Sequence, residues 1–307
     1  MPMTPVSLSV VMPVFRTSVR DDLALARVLE SLRPQVVGRP RELVIVDSSG
    51  DESGREIASR WPWARLVARH CRTPQGVARN VGAEAARGRL LAFLDADAVP
   101  AAGWLDELER ARPGFDMVGG AILNDFPESP CARAAHVLEF LEWVPPRSDP
   151  LLHAAGCNML VERNAFESAG GFPTDVWTGE DTLLSFDFGR RGRLVFAPDA
   201  QVRHLNRAEM GAFVRDQYKH GVGFKRICER TEFPGRSTVC GGRVSRAVIE
   251  RAHAVHARLK THTPEYRRAL GLMPLLAIGL CAWGRGLADA DRRHYPALPV
   301  PARQGDG

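Results

Sequence analysis

The 307-residue sequence lacks most features that would take it out of the ordinary globular class. No internal repeat and no low-complexity tract is present, which excludes solenoids, collagens and coiled-coil rods. No apolar run approaches the ~20 residues a membrane-spanning helix needs, so a polytopic membrane protein is excluded. The six cysteines form no C-x-x-C and no pair at metal-ligand spacing. In a chain of this length they read as reduced thiols of a cytosolic protein. The first nine residues have neither a basic n-region nor an apolar h-region, so no signal peptide is expected. There is no G-x-G-x-x-G after a strand and no G-K-[ST], which removes the dinucleotide fingerprint and the P-loop.

Ordinary material fills the rest. Apolar residues make up 45% and charged residues 25%, which excludes a disordered chain. The length suits one large or two small domains with a sizeable core. The net charge is +5, but it is unevenly placed. Residues 203–268 carry 15 Lys/Arg against 6 Asp/Glu, and the remainder is net acidic. A segment so basic faces nucleic acid, an anionic membrane or a phosphorylated substrate, or is a solvated helical face. It has no interleaved aromatics and matches no nucleic-acid module, so no nucleic-acid partner is expected.

The first hundred residues alternate short apolar runs with helical patterns. Runs at 7–14, 42–46, 65–68 and 89–94 have the length and composition of buried strands. Between them lie helical patterns at 18–34, opened by a capping box at Ser18 and stopped by Pro34, at 53–61, and at 73–86. In the last, Val77, Val81 and Ala85 share a face, and Gly88 closes the helix. This alternation predicts an α/β fold with a mostly parallel sheet and helices on both faces. Ligands of such sheets sit at the carboxyl ends of strands, and Asp47 and Asp95 each close an apolar run there. Further on, 131–143, 163–169 and 178–190 read as helices, 117–123 and 159–161 as strands, and 194–196 and 201–204 as two short strands. From 208 the pattern is helical.

Residues 269–284 carry no charge and are flanked by Arg267, Arg268 and Arg285. Sixteen residues of helix span about 24 Å, short of the ~30 Å hydrocarbon core. An interfacial or re-entrant segment fits, as does a helix packed on the core or on a second subunit.

Three constellations carry chemistry. Asp95 and Asp97, one residue apart after a strand, can chelate a divalent cation, or one can bind metal and the other a ribose hydroxyl. Glu180 and Asp181 open a helix, where acids also favour the dipole. The chemical reading makes Asp181 a general base and Glu180 an orienter of an acceptor hydroxyl. His204 becomes a ligand once a metal is argued nearby.

Over roughly residues 7–225 these features, in order, resemble the family 2 glycosyltransferases of the GT-A fold. Ser9-Val10-Val11-Met12-Pro13-Val14-Phe15 is similar to the family's first strand and Val44-Ile45-Val46-Asp47-Ser48-Ser49 to its second. Gly76-Val77-Ala78-Arg79-Asn80-Val81-Gly82 resembles its helix signature. Phe93-Leu94-Asp95-Ala96-Asp97 matches its D-x-D. Gly170-Gly171-Phe172 with Gly179-Glu180-Asp181 matches its G-G-F…G-E-D segment. His204 falls 23 positions after Asp181, where the family places a metal-binding histidine.

The resemblance implies a GT-A type, Rossmann-like sheet over 1–225, with a nucleotide-binding half to about 123 and an acceptor half over 124–225. A helical, basic, partly apolar extension covers 226–307. It implies inverting, metal-dependent transfer of a single sugar from a nucleotide-diphosphate sugar to an acceptor hydroxyl. Pro13, Val14, Phe15, Asp47, Arg79, Asn80, Asp95, Ala96 and Asp97 are expected to contact the donor. Asp47 accepting from an imide N–H favours uracil or thymine nucleotides. Mn²⁺ or Mg²⁺ is expected on Asp97, Asp95 and His204, Asp181 is expected as the base, and Trp177 as a stacking surface for a sugar. The acceptor is a glycan, a lipid-linked molecule or a small molecule. The expected location is cytoplasmic, with peripheral attachment to an anionic membrane surface through 203–284.

Two departures stand out. Ser48 replaces the usual second acid after Asp47, and the Q-x-x-R-W of processive synthases is absent, which favours single transfer. Two other readings remain. Asp95-Ala96-Asp97-Ala98-Val99 also fits a haloacid-dehalogenase-type phosphatase with Asp95 as nucleophile. That family needs a downstream core lysine, whereas only Lys219, Lys225 and Lys260 are present, all in the basic segment. The other is a catalytically inactive, transferase-like membrane scaffold.

Overall fold

The computed structural model describes residues 5–261 and 269–292. The flanking Arg267 and Arg268, and the end of the extension from 293, lie outside the described residues.

Strand β1 (Leu8–Val14) leads into helix α1 (Val19–Val36), β2 (Arg41–Asp47), α2 (Asp51–Arg60), β3 (Arg65–Ala68), α3 (Gln75–Ala85) and β4 (Leu90–Leu94). A three-residue strand β5 (Ala98–Pro100) follows, then α4 (Trp104–Ala111), β6 (Met117–Asn124) and α5 (Pro130–Glu139). A 3-10 turn (Leu141–Trp143) precedes β7 (Asn158–Glu162), α6 (Arg163–Ser168), α7 (Glu180–Arg190) and β8 (Leu194–His204). The C-terminal helices are α8 (Met210–Arg230), α9 (Arg236–Cys240), α10 (Val244–Lys260) and α11 (Met273–Asp289).

One eight-stranded sheet runs β3-β2-β1-β4-β7-β6-β8-β5. The first four strands are mutually parallel, β6 and β8 are parallel, and β7 and β5 run antiparallel to their neighbours. The sheet is thus mostly parallel, as the alternating pattern predicts. Every residue of β4 is buried, and nearly every residue of β1 and β2. Consecutive burial means both faces are covered, which is why these strands read as continuous apolar runs.

Several local expectations are corrected. Ser18 caps α1 by accepting from the Asp21 N–H, as the capping box predicts, but Pro34 does not stop the helix. A proline in the last turn forfeits one hydrogen bond, and the helix runs on to Val36 before Val37 turns extended. The buried face of α3 runs through Ala78, Arg79, Gly82 and Ala83, while Val81 and Ala85 are half-buried. Gly88 does not cap α3; it lies against the Ser9 backbone beneath β1. The two short strands expected at 194–204 are one strand, β8, with a register shift opposite Gly120/Ala121 of β6. Buried Asn158 donates to the carbonyls of Ala121 and Ala200 across that bulge. This satisfies groups the broken ladder would leave alone.

Residue 225 falls inside the continuous helix α8, so the C-terminal helices are not set apart from the fold at that point. The uncharged 269–284 stretch lies largely in α11, which packs on α8, α5 and α10. Among the described residues no helix is long and apolar enough to cross a membrane.

Candidate functional site

Four chain segments converge at the carboxyl edge of β4. The Asp95 backbone carbonyl accepts from the Ala98 N–H in a tight turn that sends β5 back along β8. The β5–β8 register sets Ala98 opposite His204, and the β6–β8 register sets Asn124 opposite His204. Sheet pairing therefore brings Asp97 to His204, residues 107 positions apart. The His204 Nε2 lies 3.6 Å from Asp97 Oδ1. Its Nδ1 is 3.0 Å from Asn206 Oδ1, which orients the ring with Nδ1–H donating and Nε2 free to ligate. The Phe140 ring packs on the imidazole, with centroids 4.6 Å apart.

This pair suits a divalent cation: one carboxylate oxygen and one oriented imidazole nitrogen face each other across a gap. Among the described residues no group of three or more His, Cys, Asp and Glu side chains is arranged to hold a metal. Asp95, expected as a third ligand, has one oxygen engaged by arginine. Its Oδ1 accepts from Arg79 Nη2 at 2.7 Å. Two protein ligands leave room for phosphate oxygens and water, the usual arrangement for Mg²⁺-type sites on nucleotides. Arg207 reaches the far oxygen of Asp97 at 4.0 Å and pairs with Asp216.

Arg79 is the hub of the site. Its side chain is 1% exposed and bridges Asp95 and Glu180, the latter at 2.6 Å. Burial works against its charge, but Asp95, Glu180 and Asp181 together raise its pKa. Burial pushes Asp95 up, with the Asp97 charge adding and Arg79 opposing. Glu180 also moves up, first through burial and then through the Asp181 charge, against Arg79. Gly156 is required here by space: a Cβ would sit 2.7 Å from the Arg79 guanidinium carbon.

The same Gly156 donates its N–H to Asp181 Oδ2 at 2.9 Å, and Thr182 donates its N–H to Oδ1 at 2.7 Å. Asp181 is thus a carboxylate fixed by two backbone donors at the start of α7. The buried thiol of Cys157 is raised well above its ordinary value by burial and then by Asp95, Asp97 and Asp181. All three carboxylates therefore lie around it.

Other expected contacts take different positions. Arg79 and Asn80, expected on the donor, face inward. Asn80 donates to the Phe172 carbonyl and accepts from its N–H, which ties α3 to the Gly170-Gly171-Phe172 turn. Glu180, expected to orient an acceptor, is 4% exposed and ion-paired. Asp47 is buried and accepts from the Ser49 N–H, the Ser49 hydroxyl and the Ser53 hydroxyl, so it fixes the β2–α2 turn. Ser48 spends its hydroxyl on the Val14 carbonyl. Pro13 and Val14 lie in β1 opposite Val46 and Asp47. Phe15 is exposed at the strand's end. Ala96 sits in the turn between Asp95 and Asp97.

Sequence reasoning missed four residues. Arg72 lies 4.9 Å from the Phe15 ring and 5.5 Å from the Trp177 ring, joining the end of β1 to the loop before the acidic pair. His153 stands between the Trp143 and Phe233 rings. Its Nε2 is 3.0 Å from Glu142 Oε2, and its Nδ1 is 3.3 Å from the Thr182 hydroxyl. The hydrogen bond and charge of His153 hold the exposed Glu142 carboxyl below its ordinary value. None of Arg72, Glu142, His153 and Arg207 belongs to a motif; the one local signal was the aromatic density around Trp143.

The profile of the family described as "Glycosyl transferase family 2" matches residues 9–168, more than half the chain. The chain belongs to this family. It is 26% identical over 229 residues to glycosyltransferase AglE of Haloferax volcanii, covering 70% of this chain and 72% of that one. It is 28% identical over 162 residues to the pre-mycofactocin glycosyltransferase of Mycobacterium tuberculosis, where the match covers 50% of this chain but 34% of the relative. Among solved structures, the Pyrobaculum calidifontis mannosyltransferase PcManGT, in complex with GDP-Man and Mn²⁺, superposes with a TM-score of 0.60 and 17% identity. That superposition covers 94% of this chain and 88% of PcManGT. The fold of this family 2 member is therefore of the GT-A type.

Proposed function

We propose that the protein transfers a single sugar, with inversion, from a nucleotide-diphosphate sugar to an acceptor hydroxyl. The carrying observations are the Asp181 carboxylate, held by two backbone N–H groups, and the Asp97–His204 pair. Asp181 takes the proton of the acceptor hydroxyl as its oxygen bonds to the anomeric carbon and the nucleoside diphosphate departs from the opposite face. Two donors locking both oxygens hold the base at one angle, so little reorganisation remains for the reaction. Asp97 and His204 would hold Mn²⁺ or Mg²⁺, which would supply positive charge to the leaving diphosphate. Arg79 is a positioning residue, keeping Asp95 and Glu180 in place so that the β4 turn and the start of α7 stay in register.

UDP- or dTDP-linked donors are favoured by the resemblance around Asp47. Phe15 offers an aromatic edge to the nucleoside, and Trp177 a stacking surface to a sugar. PcManGT is described with GDP-Man, so GDP belongs in any test. The acceptor is a glycan, a lipid-linked molecule or a small molecule, and the location is cytoplasmic. The 1–225 and 226–307 division is retained as a description of roles, with α8 shared between them.

A thermal-shift panel of UDP, dTDP, GDP, CMP and phosphate, each with and without Mn²⁺, tests this reading on the wild type and on Asp97→Ala. One nucleoside diphosphate should raise the melting temperature only with Mn²⁺ and only with Asp97 present. No shift with any nucleotide contradicts it.

A further inference from the structure

Helix α11 has two unlike faces. Leu276, Gly279, Trp283 and Leu287 are buried against α8, α5 and α10. The opposite face runs through Met273, Pro274, Ala277, Ile278 and Cys281, and Leu270 precedes it, all exposed and none charged. Leu270 and Met273 are each 56% exposed. On a helix these positions fall three and four residues apart and form one stripe. Arg285 ends it.

The stripe has a definite place relative to the site. Gly279 meets Phe213 and Gln217, Gly286 meets Tyr218, and Gly221 meets Trp283 and Leu287. Contact positions rise together along both helices, so α8 and α11 run parallel, with their N-terminal ends side by side. Helix α8 begins at Met210, itself exposed, six residues after the candidate metal ligand His204. The apolar stripe therefore starts at the end of the helix pair that adjoins the Asp97–His204 pair. Cations border the same end. Leu259 packs with Leu272 and Leu276, which puts Lys260 beside the start of α11. Arg215 lies in the first turns of α8. Both are exposed, and neither pairs with an acid among the described residues.

We propose that this face of α11, continued by Met210, docks on an anionic lipid surface. A helix of 17 residues is about 25 Å long, too short to span but long enough to lie in the headgroup region with one face among acyl chains. Arg215 and Lys260 then meet lipid phosphates. Docking would hold the mouth of the site at the lipid surface. It does not depend on the transfer reading, since vesicle binding needs neither donor nor acceptor.

The test is co-sedimentation of the full chain with phosphatidylcholine vesicles, with and without phosphatidylglycerol, alongside a solution mass measurement. The wild type should be monomeric and bind the anionic vesicles. Ile278→Asp and Met273→Asp should lower binding at least tenfold, and Lys260→Gln and Arg215→Gln about fivefold each, with less effect at high salt. The four side chains are exposed, so an unchanged melting temperature checks folding, and Ile278→Ser serves if an aspartate variant fails. Binding by Ile278→Asp or Ile278→Ser equal to wild type, no binding to either vesicle, or a dimer dissociated by Ile278→Asp would each overturn the proposal.

Discussion

The sheet half and the C-terminal helices both bury arginine, but they give it different partners. In the sheet half, Arg79 sits between two carboxylates and organises chemistry. In the C-terminal helices, Arg251 and Arg258 donate to backbone carbonyls, and Arg226 and Arg236 do so while also pairing with Glu229 and Glu232. Arg251 bonds the Leu138 carbonyl at 2.7 Å, at the end of α5. Arg258 reaches the carbonyls of Leu141, Val144 and Pro146. Arg236 bonds Cys228, and Arg226 bonds Ala290. Helix C-termini leave carbonyls without partners, and a guanidinium satisfies several at once. Burial lowers Arg251 to about 10, with Glu142 and Glu139 opposing. Among the described cations of 203–268, Lys225, Arg226, Arg251 and Arg258 are half-buried and the others are exposed. A charge count along the sequence overstates what a surface can offer.

Removing arginines on either side should break this comparison in different ways. Arg79→Met leaves two buried carboxylates without their cation, so stability should fall by about 3–5 kcal/mol in denaturant titration. Arg251→Met loses one charged hydrogen bond and should cost about 1.5–3 kcal/mol. Nucleotide affinity should stay unchanged in that variant, because α10 touches carbonyls rather than the donor side. A drop in nucleotide affinity equal to that of Arg79→Met would erase the distinction.

A third effect, confined to acid pH, is on stability. Burial, and then the His204 charge, lower His136 to about 3 from an ordinary value of 6.5. The unfolded chain takes up a proton on this residue as pH falls below 6.5, and the folded chain does not until about 3. Stability should therefore be whole above pH 6.5 and fall through that window, by at most about 1.4 kcal/mol per pH unit. His136→Gln should flatten this limb in melts taken at stepped pH.

The chain order of strands was legible wherever a strand is buried on both faces. Burial makes the middle of β1 and β2 and all of β4 apolar, and Asp47 and Asp95 then mark the ends of β2 and β4. Strand β5 was invisible because three residues carry no pattern; pairing with β8 makes it a strand. The bulge that fuses 194–204 depends on Asn158, far off in sequence. Asp97, Asp181 and His204 stood in motifs, and sheet pairing brings Asp97 to His204. The tasks of Arg79, Asn80 and Glu180 were not legible, since a motif names a residue without saying whether it faces ligand or core. Glu142, His153, Arg72 and Arg207 owe their places to tertiary packing alone.

The central claim is that Asp181 removes the acceptor proton while Asp97 and His204 serve the donor. Asp181→Asn keeps the shape and can still accept from the Gly156 N–H, but has no basic oxygen. Nucleotide affinity and sugar turnover should be measured on one preparation of that variant, with Mn²⁺ present. The account predicts wild-type nucleotide affinity with turnover lowered by about 10²–10⁴-fold. Near wild-type turnover would contradict it.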